Sequence, residues 1–318
     1  MKTTKAYLVT GGAGFIGSAI ARQLIYNGHK VYIIDNLKTG YLENVPNEAV
    51  FIKGDFSKDE IIAELQNRKF DAIFHIGGQS SGEISFDDPE YDLNTNTLST
   101  LKLLQYCMKN NCKKFIYAST MSVYGEKKGK EQFCETDDLN PKSFYAVGKF
   151  ASERYIQIFS NQYGMEYTIL RYFNVYGPGQ NLENLKQGMV SIYLKQFIDD
   201  KFDFVEVKGS LDRFRDLIYI DDVVDITIDS IKNLKMTNQI LNVGTGVKTT
   251  VGEILDLIKK YTGSNKEIKV TSGTPGDQFG IYADINRLKE IYNKKLVTFN
   301  TGLLKMIKWI LNDEYYRG

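Results

Sequence analysis

The chain has 318 residues, long enough to bury a substantial core in one large domain or two modest ones, and its 40 basic and 39 acidic residues leave a net charge of +1. That balance excludes a general attraction to nucleic acid or anionic membrane, and no stretch approaches the ~20 apolar residues of a membrane span. Three cysteines without paired C-x-x-C spacing read as reduced and structural, as in a cytoplasmic enzyme, and two histidines are too few for a histidine-rich metal site.

The residues after Met1 lead straight into a predicted strand over 6–9, leaving no room for a signal peptide. A glycine cluster follows, then an apolar-periodic helix over 15–25. The glycines satisfy both G-x-G-x-x-G (Gly12, Gly14, Gly17) and G-x-x-G-x-x-G (Gly11, Gly14, Gly17). A pyrophosphate approaches a backbone only where no Cβ intervenes, and the next helix offers free N–H groups and partial positive charge. Such a motif alone is weak. Here Asp35 ends a second strand, 30–34, 18 residues beyond Gly17. A carboxylate there suits the ribose hydroxyls of NAD and repels the 2′-phosphate of NADP.

Further along come a strand over 50–53, a helix near 58–67, a strand over 71–75, a loop over 76–89, a long helix over 90–109 and a strand over 114–119. Strands alternating with helices predict a parallel sheet covered on both faces, with ligands at the carboxyl ends of its strands. The loops after Val9, Ile34, His75 and Ser119 are expected around one crevice. A helix over 143–163 and a strand over 166–172 follow. Later elements are helices over 187–199, 221–233, 250–261, 284–292 and 301–311, and strands over 203–207, 216–220 and 239–243. The expected fold is α/β: a Rossmann-type doubly wound parallel sheet over residues 1–172 with 216–245 returning to it. A smaller C-terminal α/β substrate-binding domain is expected over 173–215 and 246–318.

Tyr145-Ala-Val-Gly-Lys149 places Tyr and Lys at i and i+4 on one helix face. A phenol of ordinary pKa near ~10 is a poor base at neutral pH, and a nearby ammonium favours the phenolate. The pair can take a proton from a substrate hydroxyl while hydride leaves the same carbon. The same spacing occurs on plain amphipathic helices. It stands out here because Ser119-Thr120 ends a strand upstream, where a hydroxyl can hydrogen-bond the reacting oxygen.

With these residues in view, the chain resembles the extended short-chain dehydrogenase/reductase family, specifically its NAD-dependent nucleotide-sugar epimerases and dehydratases. The likeness spans Thr10-Gly-Gly-Ala-Gly-Phe-Ile-Gly17, Asp35-Asn36, Gly54-Asp55, Ser119-Thr-Met-Ser-Val-Tyr-Gly125, Tyr145 with Lys149, Arg171-Tyr-Phe-Asn-Val-Tyr-Gly-Pro178, Arg215-Asp216 and Asn242-Val-Gly-Thr-Gly246. It implies that Gly11, Gly14 and Gly17 with Phe15 and Ile16 hold the pyrophosphate, and that Asp35 and Asn36 hold the adenosine ribose. Asp55 and Phe56 would lie by the adenine, Gly77, Gly78, Gln79 and Ser119 would line the cofactor, and Asn94 would sit behind it. Thr120, Tyr145 and Lys149 would be catalytic, with Lys149 also on the nicotinamide ribose. Tyr172 would approach nicotinamide, Asn174 the substrate phosphate, and Arg215 would clamp the substrate pyrophosphate. Read alone, Asp55 equally suits a turn and Arg215 a solvated strand end.

Two departures narrow the choice. The 4,6-dehydratases of this family follow the Thr with Asp-Glu, whereas here Met121 and Ser122 stand; neither can move the protons of dehydration. The stretch Thr271-Ser-Gly-Thr-Pro-Gly-Asp277 lacks the Arg that often precedes such a Gly-Asp pair, so Arg213 or Lys186 is the candidate to meet phosphate charge beside Asp277. Ser80, Ser81 and Glu83 either face the sugar or form a solvated loop. The reading is an NAD-dependent nucleotide-sugar epimerase acting at C4 on a UDP- or GDP-linked sugar, through a transient 4-keto sugar, for surface polysaccharide. The first alternative is a nucleotide-sugar 4-oxidoreductase; a catalytically silent dinucleotide sensor would have lost Tyr145 or Lys149. No metal is expected. A homodimer is expected through the helices over 90–109 and 143–163, whose apolar stripes (Leu98, Leu101, Leu104; Phe150, Tyr155, Ile158) equally suit packing on the sheet.

Overall fold

Residues 6–10 carry no charge and so can be covered on both sides. In the computed structural model, which describes residues 4–127, 129–273 and 279–312, they form strand β1 (Ala6–Thr10), with Tyr7, Leu8 and Val9 buried. β1 pairs in parallel with β2 (Lys30–Asp35) on one side and with β4 (Ala72–His75) on the other. Outside these, β2 pairs with β3 (Val50–Lys53) and β4 with β5 (Lys114–Thr120), again in parallel. With β6 (Glu166–Tyr172) and β7 (Gln239–Val243) they make a seven-stranded sheet of order 7-6-5-4-1-2-3. The order reverses between β1 and β4. That is where an open α/β sheet leaves a crevice for a ligand.

Helix α1 (Phe15–Tyr26) buries Ile20, Ala21 and Leu24. The expected helix near 58–67 is short: α2 (Asp59–Ala63), followed by turns. The expected helix over 90–109 forms in three pieces: α3 (Pro89–Leu93), a π-helical turn (Asn94–Leu98) and α4 (Ser99–Asn110). Asp88 caps α3 by accepting from Tyr91 N at 2.9 Å, and Pro89 stands in the first turn, where its missing N–H is harmless. Around the π turn, hydroxyls of Thr95, Ser99 and Thr100 donate to the carbonyls of Tyr91, Thr95 and Asn96 at 2.9, 2.6 and 2.7 Å. Ser143 caps α5 (Phe144–Tyr163) and Gly164 closes it in the left-handed region, close to the expected span.

Ile61 of α2, Leu103, Leu104 and Cys107 of α4 and Ile156 of α5 share one core cluster with Leu8, Ile34, Ile73, Phe115 and Ile169 of the sheet. Each fully buried side chain of this kind contributes about 1.5–3 kcal/mol. Leu104 of the expected pairing stripe therefore packs in the core, while Tyr155 and Ile158 are exposed. Among the described residues, no helix is long and apolar enough to cross a membrane.

The chain divides into two compact units, residues 1–124, 138–171 and 224–241, and residues 125–137, 172–223 and 242–318. These bounds differ from the expected ones for a pairing reason. Gln132–Phe133 joins Gly280–Ala283 in the second unit, and the Asn242 amide donates to Phe133 O at 2.8 Å. Leu217–Tyr219 likewise pairs with Asn174–Tyr176, which keeps 216–223 in that unit. Its four-stranded sheet runs Thr249–Thr250, Phe214–Arg215, Gly280–Ala283, Gln132–Phe133.

Asp216 fastens this second unit. Its Oδ1 accepts from the backbone N and hydroxyl of Thr245, both at 2.7 Å, and its Oδ2 from Gly246 N at 2.9 Å and Ala283 N at 3.1 Å. Asp216→Ala strands four donors, one buried and three part-buried, and is expected to lower unfolding stability by about 2–3 kcal/mol. Urea denaturation checks this, and a loss under about 1 kcal/mol would mean that the donors find other partners.

Candidate active site

The loops that leave β1 and β4 touch backbone to backbone. A Cβ built on Gly11, which lies at φ +68°, would sit 2.5 Å from Gly77 Cα. A Cβ on Gly17 would sit 2.1 Å from Gly11 O, so no side chain fits there either. α1 starts beyond Gly14 with no side-chain cap, which leaves the N–H groups of Phe15 and Ile16 free for an anion. At the end of β2, Asp35 Oδ2 accepts from Ala13 N (3.0 Å) and Oδ1 from Leu37 N (2.8 Å). The carboxylate is thereby fixed, and each oxygen keeps a lone pair for a diol. Asn36 Oδ1 accepts from Lys38 N at 3.0 Å and Asp55 Oδ1 from Ser57 N at 2.8 Å, so Asp55 does serve a turn. Phe56 packs under Gly77 and edge-on to His75. A bare glycine cradle, an uncapped helix start and a held carboxylate fit NAD.

His75, of interest in the sequence only because two histidines are too few for a metal, connects this loop to the next. The Thr100 hydroxyl donates to Asn96 O, so Thr100 Oγ1 must accept from His75 Nε2–H (3.0 Å). His75 Nδ1 then accepts from the Thr10 hydroxyl (2.8 Å), and Thr10 Oγ1 accepts from Gly77 N (3.1 Å). The chain of bonds is complete only with a neutral ring. Burial, with Lys149 nearby, holds His75 well below the usual histidine pKa.

The residue behind Gly78 and Gln79 is Asn96, which the sequence reading missed, and not Asn94. Asn96 is buried and its Nδ2 donates to Gln79 O at 3.0 Å, whereas Asn94 is half-buried. Residues 94 and 96 face nearly opposite ways on a helix; the available signal was the polar set Asp92, Asn96 and Thr100 at four-residue spacing, which shares one face. Gln79 closes on Ser81: Nε2 donates to Ser81 O (2.6 Å) and Oε1 accepts from Ser81 N. Ser81 Oγ accepts from Ile84 N at 3.2 Å, so this buried serine is a turn-former, while Ser80 and Glu83 are exposed.

Thr120 ends β5, and its Oγ1 accepts from Ser122 N at 3.1 Å and donates to Ser122 Oγ at 3.2 Å. Met121 and Ser122 are half-buried in the 3-10 turn Met121–Tyr124. Tyr145 and Lys149 are both buried on α5. Burial pushes the Tyr145 phenol up to about 12, its hydrogen bond with Thr120 opposing and Asp92 adding. Burial pulls the Lys149 ammonium down to about 8, against Asp92 and Glu153. Desolvation thus raises the phenol, where a lowering by Lys149 was expected, and the group that opposes it is Thr120. Lys149 Nζ donates instead to Ala118 O at 3.0 Å and lies 4.9 Å from the Tyr117 ring centroid.

Ser119, expected along the cofactor, turns its hydroxyl to Glu153 Oε1. Glu153 in turn accepts from Arg171 Nε (3.0 Å) and Nη2 (2.7 Å), and Arg171 Nη1 donates to the Tyr124 hydroxyl (3.0 Å). This ion pair is buried, with 3% and 1% of its side chains exposed. It joins β5, α5 and β6 beneath Thr120.

In the second unit, Asn174 Oδ1 is buried with no hydrogen-bond partner among the described residues. Tyr172 is buried at the end of β6. Backbone carbonyls anchor the two buried arginines: Arg213 Nη1 donates to Lys208 O (2.7 Å), and Arg215 Nη1 to Phe214 O (2.7 Å) and Phe279 O (3.2 Å). Asp277 lies outside the described residues. Among those described, no group of acidic, Cys and His side chains could hold a metal.

Two expectations follow from these networks. Glu153→Gln leaves Arg171 buried without its charge partner and should cost about 3–5 kcal/mol, whereas Glu153→Gln combined with Arg171→Met should cost less than the sum of those two singles; a double-mutant cycle by denaturation decides. For His75, the unfolded chain takes up a proton below pH ~6.5 that the folded chain refuses, so its contribution is complete above that pH and falls as pH drops. The slope approaches about 1.4 kcal/mol per pH unit and should vanish in His75→Gln. Asp92, raised by burial to about 6, works in the opposite sense below that pH, so the quantity to measure is the wild-type minus variant difference.

A model of the NAD dependent epimerase/dehydratase family matches residues 7–244. The chain is 32% identical over 310 residues to a putative UDP-glucose 4-epimerase of Methanocaldococcus jannaschii, covering 96% of this chain and 98% of that one. Among solved structures, UDP-glucose 4-epimerase of Thermotoga maritima with UDP-glucose matches with a TM-score of 0.92 at 33% identity, covering 97% of this chain and 99% of that one. The UDP-glucose 4-epimerase of Thermus thermophilus in complex with NAD matches with a TM-score of 0.87 at 32% identity, covering 98% and 99%. Glycine cradle, Asp35 and the Tyr145–Lys149 helix thus sit on a shared fold, and the chain belongs to the NAD-dependent epimerase/dehydratase family of extended short-chain dehydrogenases/reductases, whose epimerases are NAD-using isomerases.

Proposed function

We propose that this protein inverts C4 of a UDP-linked sugar, with oxidation and reduction at one carbon and no net redox change. The observation that carries this reading is the run Thr120-Met121-Ser122 beside Tyr145: a hydroxyl and a phenol are in place for a C4 hydroxyl, and no carboxylate follows Thr120 to drive dehydration. UDP is favoured over GDP because the similar proteins are named for UDP-glucose.

When bound, NAD supplies the acceptor and later the donor of the hydride. Gly11, Gly14, Phe15, Ile16 and Gly17 would hold its pyrophosphate, Asp35 and Asn36 its ribose, and Gly77, Gly78, Gln79 and Tyr172 its remaining length. In its ionised form Tyr145 takes the proton of the C4 hydroxyl as C4 is oxidised and gives it back when C4 is reduced, and Thr120 holds the same oxygen. Lys149 remains largely protonated at pH 7 and is the chain's own cation on the face that carries the phenol. Asn174, Arg213 and Arg215 meet the diphosphate, since a buried guanidinium held by carbonyls is already oriented for it. Ser80, Glu83, Met121 and Ser122 face the sugar. We place the enzyme in the cytoplasm, in keeping with its three free cysteines, supplying sugar for surface polysaccharide. Exposed Leu93 on α3 and Val147, Tyr155 and Ile158 on α5 support a homodimer.

Purified protein, with no cofactor added, is incubated with a panel of nucleotide sugars under proton NMR and nicotinamide absorbance. The expected result is a C4 epimer formed catalytically without net reduced nicotinamide; a single stalled turnover would favour the oxidoreductase. Tyr145→Phe should lower turnover at least ~100-fold while substrate still binds, and full activity in that variant would sink the mechanism.

A further inference from the structure

We propose that Asp92 is a positioning residue for Lys149: from across the α3–α5 contact it supplies the buried counter-charge and orients the Asn96 amide that flanks the ammonium. The inference rests on the reading above that Lys149 belongs to the catalytic pair.

Asp92 is 1% exposed, so its carboxyl is withdrawn from bulk solvent. Its Oδ2 accepts from Asn96 Nδ2 at 3.1 Å, and that same amide nitrogen donates to Gln79 O at 3.0 Å. Both amide hydrogens are then used, which leaves Asn96 one orientation, with Oδ1 pointing the other way. Asn96 Oδ1 is buried and has no hydrogen-bond partner among the described residues. It lies near the ammonium: a Cβ built on Gly78 would sit 2.4 Å from Asn96 Oδ1 and 3.5 Å from Lys149 Nζ. The Asn96 backbone is held as well, since its carbonyl accepts from the hydroxyls of Thr100 and Ser152, both at 2.7 Å.

The other carboxylate oxygen, Asp92 Oδ1, is also buried and without a partner among the described residues. It rests on the turn of α5 that carries the lysine, because a Cβ on Gly148 would be 3.3 Å away from it. Gly148 directly precedes Lys149, and its missing side chain is what admits the carboxylate. Asp92 and Lys149 act on each other electrostatically with opposite sign.

The other titratable groups facing this spot are accounted for. On α5, Glu153 is bound by Arg171, and Tyr145 is a neutral phenol. On β4, His75 is neutral, and on β5, burial pushes the Tyr117 phenol far up. On α3 itself, Tyr91 is likewise raised, and Asp88 caps the helix. Glu153 also favours the Lys149 ammonium but is already paired with Arg171, so among the described residues Asp92 is the carboxylate acting on Lys149 that has no other cation bound to it. Burial places Asp92 near 6 and Lys149 near 8, so the pair is ionic over the neutral range between them.

The test is a titration of Lys149 in the full-length protein, as purified with its cofactor, labelled with [ε-13C]lysine and assigned with Lys149→Arg. Asp92→Asn should lower the Lys149 midpoint by about one pH unit or more, with the alkaline limb of the epimerase pH profile moving by the same amount. Should that variant fail to fold, Asp92→Ser, which keeps an acceptor for Asn96 without the charge, should show the same shift. A midpoint that moves by less than about 0.3 unit overturns the proposal, whatever happens to melting temperature or kcat. The titration does not depend on turnover, so a shifted midpoint in a protein without epimerase activity would uphold the Asp92 role and defeat only the functional reading. An unshifted midpoint in an active epimerase would do the reverse.

Discussion

Two loops meet with no side chain between them where β1 and β4 end, and the ligand face of the first unit depends on that contact. Gly11 lies so close to Gly77 that a methyl group on either would collide with backbone. The approach is possible because neither residue has a side chain, and it lies where the sheet order reverses between these two strands. The contact is then fastened from below by Thr10, His75 and Thr100, whose bonds run from Gly77 N to Asn96 O. A neutral histidine is well suited to this task because it donates from one nitrogen and accepts at the other. One residue thereby ties the loops after β1 and β4 to the helical segment that backs Gln79.

Buried charge is handled in two ways in the same unit. Glu153 and Arg171 satisfy one another through two bonds and enlist Ser119 and Tyr124. A pair so enclosed adds little net stability over an apolar replacement, but the loss of either member alone leaves the other charge buried between β5, α5 and β6. Asp92 and Lys149 are satisfied less completely, each keeping a burial-shifted pKa near neutrality. Groups left in that condition stay responsive, which is what proton-transfer chemistry requires of them.

Much of the fold and site was legible in the sequence where local chemistry alone decides. Glycines between a strand and a helix, an acid ending the second strand, and Tyr and Lys one helical turn apart all express short-range rules. The strands Glu166–Tyr172 and Gln239–Val243 were read to their ends because β-formers are bounded there by turn residues. What escaped depends on contacts between distant segments. The resemblance pointed to Asn94, and Asn96, two positions on, is the buried residue that bonds Gln79. Ser119 looked like a ligand contact, and Glu153, 34 residues on, claimed its hydroxyl. Residues 125–137 looked like a loop of the first unit, and two residues of pairing with Gly280–Ala283 moved them to the second.

By itself, then, the sequence determined the fold class and the cofactor, since each follows from residue type at fixed short spacing, and it placed Tyr145 and Lys149 on one helix face. Only the tertiary structure decided which polar groups remain available for that chemistry. A hydroxyl, amide or carboxylate has few bonds to make, and whether they are already made depends on neighbours that folding brings together. Burial settled the rest: it raised the Tyr145 phenol and lowered the Lys149 ammonium, against the simple expectation for a Tyr–Lys pair in water.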